Sequence, residues 1–350
     1  MSDIRSIQQL FGIELPIIQA PMAGVQDSAL TIAVSRAGGL GSLPCAMLSP
    51  EAIRAEVATI RARTDKPFNL NFFCHADPVA DAARNQAWQS AFAQDYAEFD
   101  IDPASVPPGP VRMPFNQQMA DLVSECRPAV VSFHFGLPSA ALLDQVRRTG
   151  ARVLSSATTV EEALWLEARG VDAIIAQGVE AGGHRGMFLT DDITTQLGSF
   201  ALLPQIVQAV KVPVIAAGGI ADAAGVRAAL GLGAAGVQLG TAYLLCTEAT
   251  TSAVHRAALK HADARHTALT NVFTGRPARG IVNLMVRKFG PMNPAAPAFP
   301  QAAAASAPLR AKAERLGRGD YSPLWSGQNA SGCREVSASV LTRDLANGIR

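Results

Sequence analysis

The segment from Glu180 to Met187 reads EAGGHRGM and follows the apolar run AIIAQG. Three glycines, Gly182, Gly183 and Gly186, surround one histidine, His184. Glycine weakens helices and strands alike, but it lets backbone approach a bound group closely. A histidine beside such glycines is placed to hold an anion or to exchange a proton near neutral pH. The alternative is an ordinary loop histidine. Other polar residues stand where short apolar runs end. Asn71 and Gln177 are amides in otherwise apolar runs, and an amide there needs partners. The edge of a planar heteroaromatic ring would supply them, and so would a core hydrogen bond. Gly218 and Gly219 end one run, and Gly240 and Thr241 end the next. Glycine-rich backbone at such points can cradle a phosphate. SFHFG places a second histidine, His134, between two phenylalanines.

Positioning these groups at one place requires a repeating frame, and the chain has one. Helical stretches ending in Gly alternate with short β-branched runs: PSAALLDQVRRTG leads to ARVLSSA, TVEEALWLEARG to VDAIIAQG, and DAAGVRAALGLG to AAGVQLGT. The runs are continuously apolar, as in a parallel sheet covered on both faces. The helical stretches carry apolar residues three and four apart. The fold class is therefore α/β. Strands are expected at PIIQAPM, GGLGSLP, FNLNFF, AVVSFHFG, RVLSSA, DAIIAQG, PVIAAGG and GVQLGT. Eight such units suggest a closed (β/α)8 barrel, whose ligands bind at the C-terminal strand ends; an open doubly wound sheet is the alternative. Residues 1–260 form the barrel in this reading, with an insertion at about 75–127 that contains a helical stretch and the Pro-rich turn DPASVPPGPVRMP. Residues 261–350 form a C-terminal extension packing on the barrel mouth. Its stretch NPAAPAFPQAAAASAP reads equally as a mobile linker, and a helix is expected around Leu309–Leu316. GLGAAG (231–236) matches a dinucleotide fingerprint but closes a helix and opens a strand, the reverse of the required order.

Composition narrows the function. The chain has 350 residues, 49% hydrophobic, with a net charge of +1. That balance offers no electrostatic grip on nucleic acid or an anionic membrane. Apolar stretches such as 212–220 are too short to span a bilayer, and the N-terminus lacks a signal-peptide core. The five cysteines form no CxxC pair, so neither a disulfide framework nor a zinc site is expected, and a reducing cytoplasm fits.

The motifs QAPMAG (19–24), SFHFG (132–136), EAGGHRG (180–186), AAGGI (216–220) and YSPLWSGQ (321–328), in this order, resemble the class I nitronate monooxygenases over nearly the whole chain. The resemblance implies a TIM barrel holding non-covalent FMN. Matched position by position, the flavin contacts fall on Pro21, Met22, Ala23, Asn71, Gln177, Gly182, Gly219, Gln238, Gly240 and Thr241, with Gly183, Gly218 and Leu239 beside them. Gly182 and Gly183, lacking Cβ atoms, would let backbone approach the flavin. His184 would lie next to the flavin and act on substrate, and His134 would be a second active-site histidine. The implied reaction is oxidation of alkyl nitronates, notably propionate 3-nitronate, by O2 to a carbonyl compound plus nitrite or nitrate, without NAD(P)H. The partners are then a small nitronate and O2, and a homodimer is left open. Candidates for holding a substrate carboxylate are Arg279, Arg287 and Lys288, each more readily read as a solvated surface charge. His75, His255, His261 and His266 are expected at the surface. Two rivals stand: an NAD(P)H-dependent FMN barrel of the NADH:quinone reductase or enoyl-carrier-protein reductase kind, and a non-catalytic FMN-binding protein. An inosine-monophosphate-dehydrogenase-like barrel would need a nucleophilic cysteine after the sixth strand, and none lies between Cys126 and Cys246.

Overall fold

The apolar runs form strands at the expected places. In the computed structural model, which describes residues 6–79, 81–107 and 112–349, these are β1 (Ile17–Gln19), β2 (Gly41–Pro44), β3 (Phe68–Phe73), β4 (Val130–His134), β5 (Arg152–Ala157) and β6 (Ala173–Gln177). A two-residue strand, β7 (Gly183–His184), follows, then β8 (Val214–Ala217), β9 (Gly236–Leu239), β10 (Thr267–Thr270) and β11 (Ala278–Ile281). Eight of them form a parallel sheet in the order β1-β9-β8-β6-β5-β4-β3-β2. The two edges meet through a parallel bridge between Ile18 and Leu40, with Leu40 N–H donating to Ile17 O at 2.9 Å and Gln19 N–H to Leu40 O at 3.0 Å. The sheet thereby closes into a TIM barrel. Residues 108–111 of the Pro-rich turn lie outside the described residues.

One end of the barrel is plugged. Helix α1 (Ile7–Phe11) sends Ile7 and Phe11 into the cluster formed by Ile18, Leu40, Val130, Leu154, Ile175 and Ile215. A Cβ on Gly236, at the start of β9, would sit 2.1 Å from Ile7 Cδ1, so the plug lies at the N-terminal strand ends. The C-terminal ends remain for a ligand.

The outer ring is built from α2 (Ser28–Arg36), α3 (Pro50–Arg63), α6 (Gln117–Cys126), α7 (Ala140–Arg148), α8 (Val160–Ala168), α9 (Ser199–Ala209) and α10 (Ala223–Gly231). Side-chain caps start several of them: Asp27, Ser49 and Asp222 each accept a backbone N–H from the first turn, supplying one of the partners that a helix start lacks. Because α6 packs between α3 and α7, it is a ring helix, and the inserted chain ends before it. The insertion proper contributes α4 (Ala82–Ser90) and α5 (Ala93–Glu98). After β9 come α11 (Ala253–Lys260), α12 (Leu284–Phe289), α13 (Ala303–Arg315) and α14 (Ala338–Leu345).

A second core lies outside the barrel. Trp88, Phe92, Tyr96 and Phe99 of the insertion pack with Phe273, Met285, Leu309 and Tyr321 of the C-terminal region. The Ala-rich part of the 293–308 stretch begins α13, with Ala305 and Leu309 buried, so it is packed chain and not a linker. The final helix departs from the expected mouth cover. α14 packs on α2 and α10 at the barrel flank, where Thr342 meets the Tyr243 hydroxyl at 2.9 Å. A third feature was not expected from sequence: β10, β11 and β7 form a separate antiparallel sheet that ties the EAGGHRG segment to the C-terminal region.

Candidate active site

A cavity of about 620 Å³ opens at the C-terminal strand ends. It is lined by Pro21, Met22 and Ala23 after β1, Asn71 of β3, His134 of β4, Gln177 of β6, and Gly182, Gly183 and His184 at β7. Gly218 and Gly219 after β8, and Gln238, Leu239, Gly240 and Thr241 at β9, complete that wall. The structure thus brings all the singled-out strand-end residues to one place.

The β8–β9 side is made of backbone. Gly218 and Gly219 are consecutive left-handed residues, with φ of +110° and +76°, a conformation that glycine adopts without penalty. Neighbouring side chains meet their carbonyls: Gly218 O lies 2.9 Å from Ser199 Oγ, and Gly219 O accepts from Asn329 Nδ2 at 3.1 Å. Gly240 starts a 3₁₀ turn (Thr241–Tyr243) without any side-chain cap. Thr241 Oγ1 accepts the N–H of Gly327 at 2.9 Å, which brings the YSPLWSGQ segment against this end.

Each polar residue of EAGGHRG has a local task. Glu180 accepts the Ser199 N–H at 2.9 Å and its hydroxyl at 2.8 Å, capping α9 where Gly198 has no side chain to do so. Arg185 is fully buried and donates to Gly178 O, Gln177 O and Gln196 Oε1 at 2.7, 2.6 and 2.9 Å. A Cβ on Gly186 would stand 2.9 Å from His134 Cε1. The other two glycines, both on the cavity wall, carry constraints from the protein as well. A Cβ on Gly182 would meet Gly327 N at 2.5 Å, so its bareness admits protein backbone. Gly183 has open space around that position and is required by its φ of +72°.

His184 is held through its backbone and its Nε2. Its strand pairs with β11, and its carbonyl accepts from Gln177 Nε2 at 3.0 Å and His134 Nε2 at 3.2 Å. Its Nε2 lies 2.9 Å from Thr274 Oγ1. The rings of Phe299 and Trp325 stand 5.4 and 5.5 Å away. Burial, followed by the charges of Arg112, His134 and Arg276, pushes its pKa well below the ordinary imidazole value, so the ring is neutral at pH 7. His134 lines the cavity, but both its nitrogens are engaged. Nε2 donates to the His184 carbonyl, which leaves Nδ1 to accept from Ser156 Oγ at 3.1 Å. Burial brings its pKa down to about 4. This geometry lets His134, on the cavity wall where a second active-site histidine was expected, also hold the His184 backbone. Gln177 is likewise occupied, since its Oε1 accepts Gly186 N–H at 2.7 Å. Asn71 Nδ2 is held by Ser132.

A family model described as nitronate monooxygenase matches residues 5–348. The chain belongs to the nitronate monooxygenase family. It is 43% identical to the nitronate monooxygenase of Paraburkholderia phytofirmans, over 99% of this chain and 95% of that protein. Identity is also 43% to the Pseudomonas aeruginosa protein of that name, with 98% of each covered. Among solved structures, a nitroalkane oxidase from Streptomyces ansochromogenes superposes with a TM-score of 0.88 at 36% identity, covering 97% of this chain and 96% of that one. FabK from Thermotoga maritima superposes with a TM-score of 0.70 at 26% identity, covering 98% and 95%.

Within this nitronate monooxygenase fold, the cations are not where the sequence put them. Arg279 is buried and structural, donating to Val179 O at 2.8 Å and Thr267 Oγ1 at 3.1 Å. Lys288 pairs with Asp95, and Arg287 is exposed. None of the three lines the cavity; Arg112 and Arg310 do. Arg310 is neutralised by Glu314 at 2.8 Å. Among the described residues, the Arg112 guanidinium meets no carboxylate or hydrogen-bond acceptor and stands 5.6 Å over the Phe299 ring. It sits in a Pro-rich turn with no local pattern to announce it. Thr274 and Glu162 were missed for the same reason. Glu162 is fully buried and accepts the Phe188 and Leu189 N–H groups at 2.6 and 3.2 Å, anchoring the chain just beyond EAGGHRG. Two expectations of exposure fail as well. His75 donates to Arg112 O at 2.9 Å and His255 to Trp325 O at 3.1 Å, both buried; His261 and His266 are exposed.

Proposed function

We propose that the protein oxidises alkyl nitronates such as propionate 3-nitronate with O2, using FMN and yielding a carbonyl compound plus nitrite or nitrate. The observation that carries this reading is a neutral histidine, anchored through its backbone and Nε2, in a cavity where Arg112 is the lining cation without an ion-pair partner among the described residues, while the lining carboxylate of Glu180 is taken up by Ser199. Such a cavity favours an anionic substrate. The cofactor has a matching cradle. Two successive positive-φ glycines and an uncapped 3₁₀ start present backbone N–H groups to a phosphate at Gly218, Gly219, Gly240 and Thr241. Gln238, half-buried on the cavity wall, has an amide without a protein partner among the described residues and suits a ring edge.

FMN, when bound, supplies the redox chemistry. The chain's own residues bind and orient. His184 meets the nitro group, His134 and Gln177 hold the His184 backbone, and the Phe299 and Trp325 rings close the cavity around the imidazole. Arg112 receives a carboxylate borne by the substrate. Among the described residues, no helix is long and apolar enough to cross a membrane. The five free cysteines suit a reducing cytoplasm.

The test is to mix the yellow protein anaerobically with propionate 3-nitronate, and separately with NADH, and to record the flavin spectrum. Loss of the oxidised flavin bands with the nitronate but not NADH supports the proposal. Bleaching by NADH alone moves the protein to the reductase reading that the likeness to FabK keeps in view.

A further inference from the structure

His184 Nε2 and the Thr274 hydroxyl oxygen are 2.9 Å apart, and either could supply the proton between them. Thr274 is buried and comes from the chain between β10 and β11. The other acceptor in reach of its hydroxyl is the Arg276 carbonyl, 3.4 Å away. O–H···O bonds form at roughly 2.5–3.0 Å, so that carbonyl is a poor claimant, and the proton points to Nε2. A neutral imidazole carries one N–H, which then sits on Nδ1. Burial and the neighbouring guanidiniums keep the ring neutral. Nδ1 has no partner among the described residues and is the nitrogen left for a ligand in the cavity.

We propose that Thr274 sets the substrate charge state: by donating to Nε2, it makes His184 present an Nδ1–H to the cavity. That donor suits an oxygen of a preformed nitronate anion. It offers no lone pair to the α-proton of a neutral nitroalkane, whose C–H bond would have to break with the proton passing to the imidazole and the electron pair staying on the nitro-bearing fragment. Thr274 is a positioning residue in this scheme. The tautomer follows from the hydrogen-bond geometry of a neutral, buried ring; the specificity rests on the nitronate reading above.

The experiment uses flavin-loaded protein labelled with ¹⁵N-histidine, with the His184 ring signals assigned by their absence in His184→Asn. Wild type is expected to show a protonated Nδ1 and a bare, hydrogen-bonded Nε2. Thr274→Val, nearly isosteric but without the hydroxyl, is expected to move the proton toward Nε2. It should also lower the ratio of kcat/KM for ethyl nitronate over nitroethane about tenfold or more, and Thr274→Ser should restore both readings. A wild-type spectrum with the proton on Nε2 overturns the inference, as does a Thr274→Val protein with unchanged tautomer and ratio. Should Thr274→Val fail to fold, the wild-type and Thr274→Ser spectra still decide it. An Nδ1–H tautomer in a protein that oxidises neither compound would leave the hydrogen-bond assignment standing and remove the nitronate reading.

Discussion

The β8–β9 end of the cavity is made of backbone, whereas the His184 end is made of side chains gathered from distant segments. At the first, Gly218, Gly219 and Gly240 shape the wall, and the side chains of Ser199 and Asn329 meet the Gly218 and Gly219 carbonyls. At the second, one imidazole is fixed by His134 and Gln177 from the barrel and by Thr274 from the C-terminal region. Substitutions at the first end should therefore act through fit and binding, and those at the second through chemistry.

The largest effect is expected where the two ends touch. Gly182 faces the backbone of Ser326 and Gly327, and a Cβ there would lie 2.5 Å from Gly327 N and 2.7 Å from Ser326 C. Neither neighbour is a flexible side-chain tip. Gly182→Val should displace the 326–328 segment from Thr241 and Glu180, release the flavin and abolish activity; flavin absorbance after gel filtration measures this. Gly183→Ala is the control. It meets open space and should cost only about 1–2 kcal/mol for its positive φ, with flavin retained. Equal flavin loss in both would dissolve the distinction between packing and conformation.

Next comes the side-chain end. His184→Ala should keep the flavin and lower kcat/KM for nitronates by about 10²–10³-fold, or roughly 3–4 kcal/mol. Flavin content and steady-state rates are measured on the same sample. Loss of flavin with unchanged activity per flavin would place His184 in the cofactor wall instead.

The same contrast explains what could be read from the sequence. The barrel strands and glycine cradle were legible because their causes are local: a continuous apolar run makes a two-sided strand, and paired glycines mark a left-handed turn. EAGGHRG was legible as a site but not as a device. That Glu180 caps α9, or that Gly182 makes room for Gly327, depends on chain far from it in sequence. The β7–β10–β11 sheet escaped notice because a two-residue strand leaves no pattern. Arg112, Thr274 and the buried His75 and His255 escaped because burial of a polar residue by tertiary packing has no periodicity. α14 was hidden by its distance from the barrel it completes.

Acid should reveal the buried imidazoles. The pKa values of His134 and His255 are pushed down to about 4 by burial. An unfolded histidine has an ordinary value near 6.5. Between these pH values the unfolded chain binds more protons than the folded one, so stability is full above about 6.5 and falls as pH drops toward 4. His255 alone contributes at most about 3 kcal/mol to that loss. His255→Gln should flatten the slope of the melting temperature over this range. Because the Gln amide can still donate to Trp325 O as the imidazole does, flavin affinity per folded molecule should hardly move; an unchanged slope would mean that the ring is hydrated.

The smallest effect tests whether the side-chain end also has a binding part. Arg112 lines the cavity, is partly exposed, and heads the charges that lower the His184 pKa. If it receives a substrate carboxylate, Arg112→Gln should raise KM for propionate 3-nitronate about three- to tenfold, near 1 kcal/mol after solvent screening, and leave kcat nearly intact. Ethyl nitronate, with no carboxylate, should change less. A second consequence has the opposite locus. Removing a cation beside a buried imidazole favours its protonation, so the His184 pKa should rise and the acid limb of kcat/KM should move to higher pH. Equal KM changes for both nitronates, with an unmoved acid limb, would show that Arg112 faces solvent in the working enzyme and that the His184 end, too, binds through backbone and ring contacts alone.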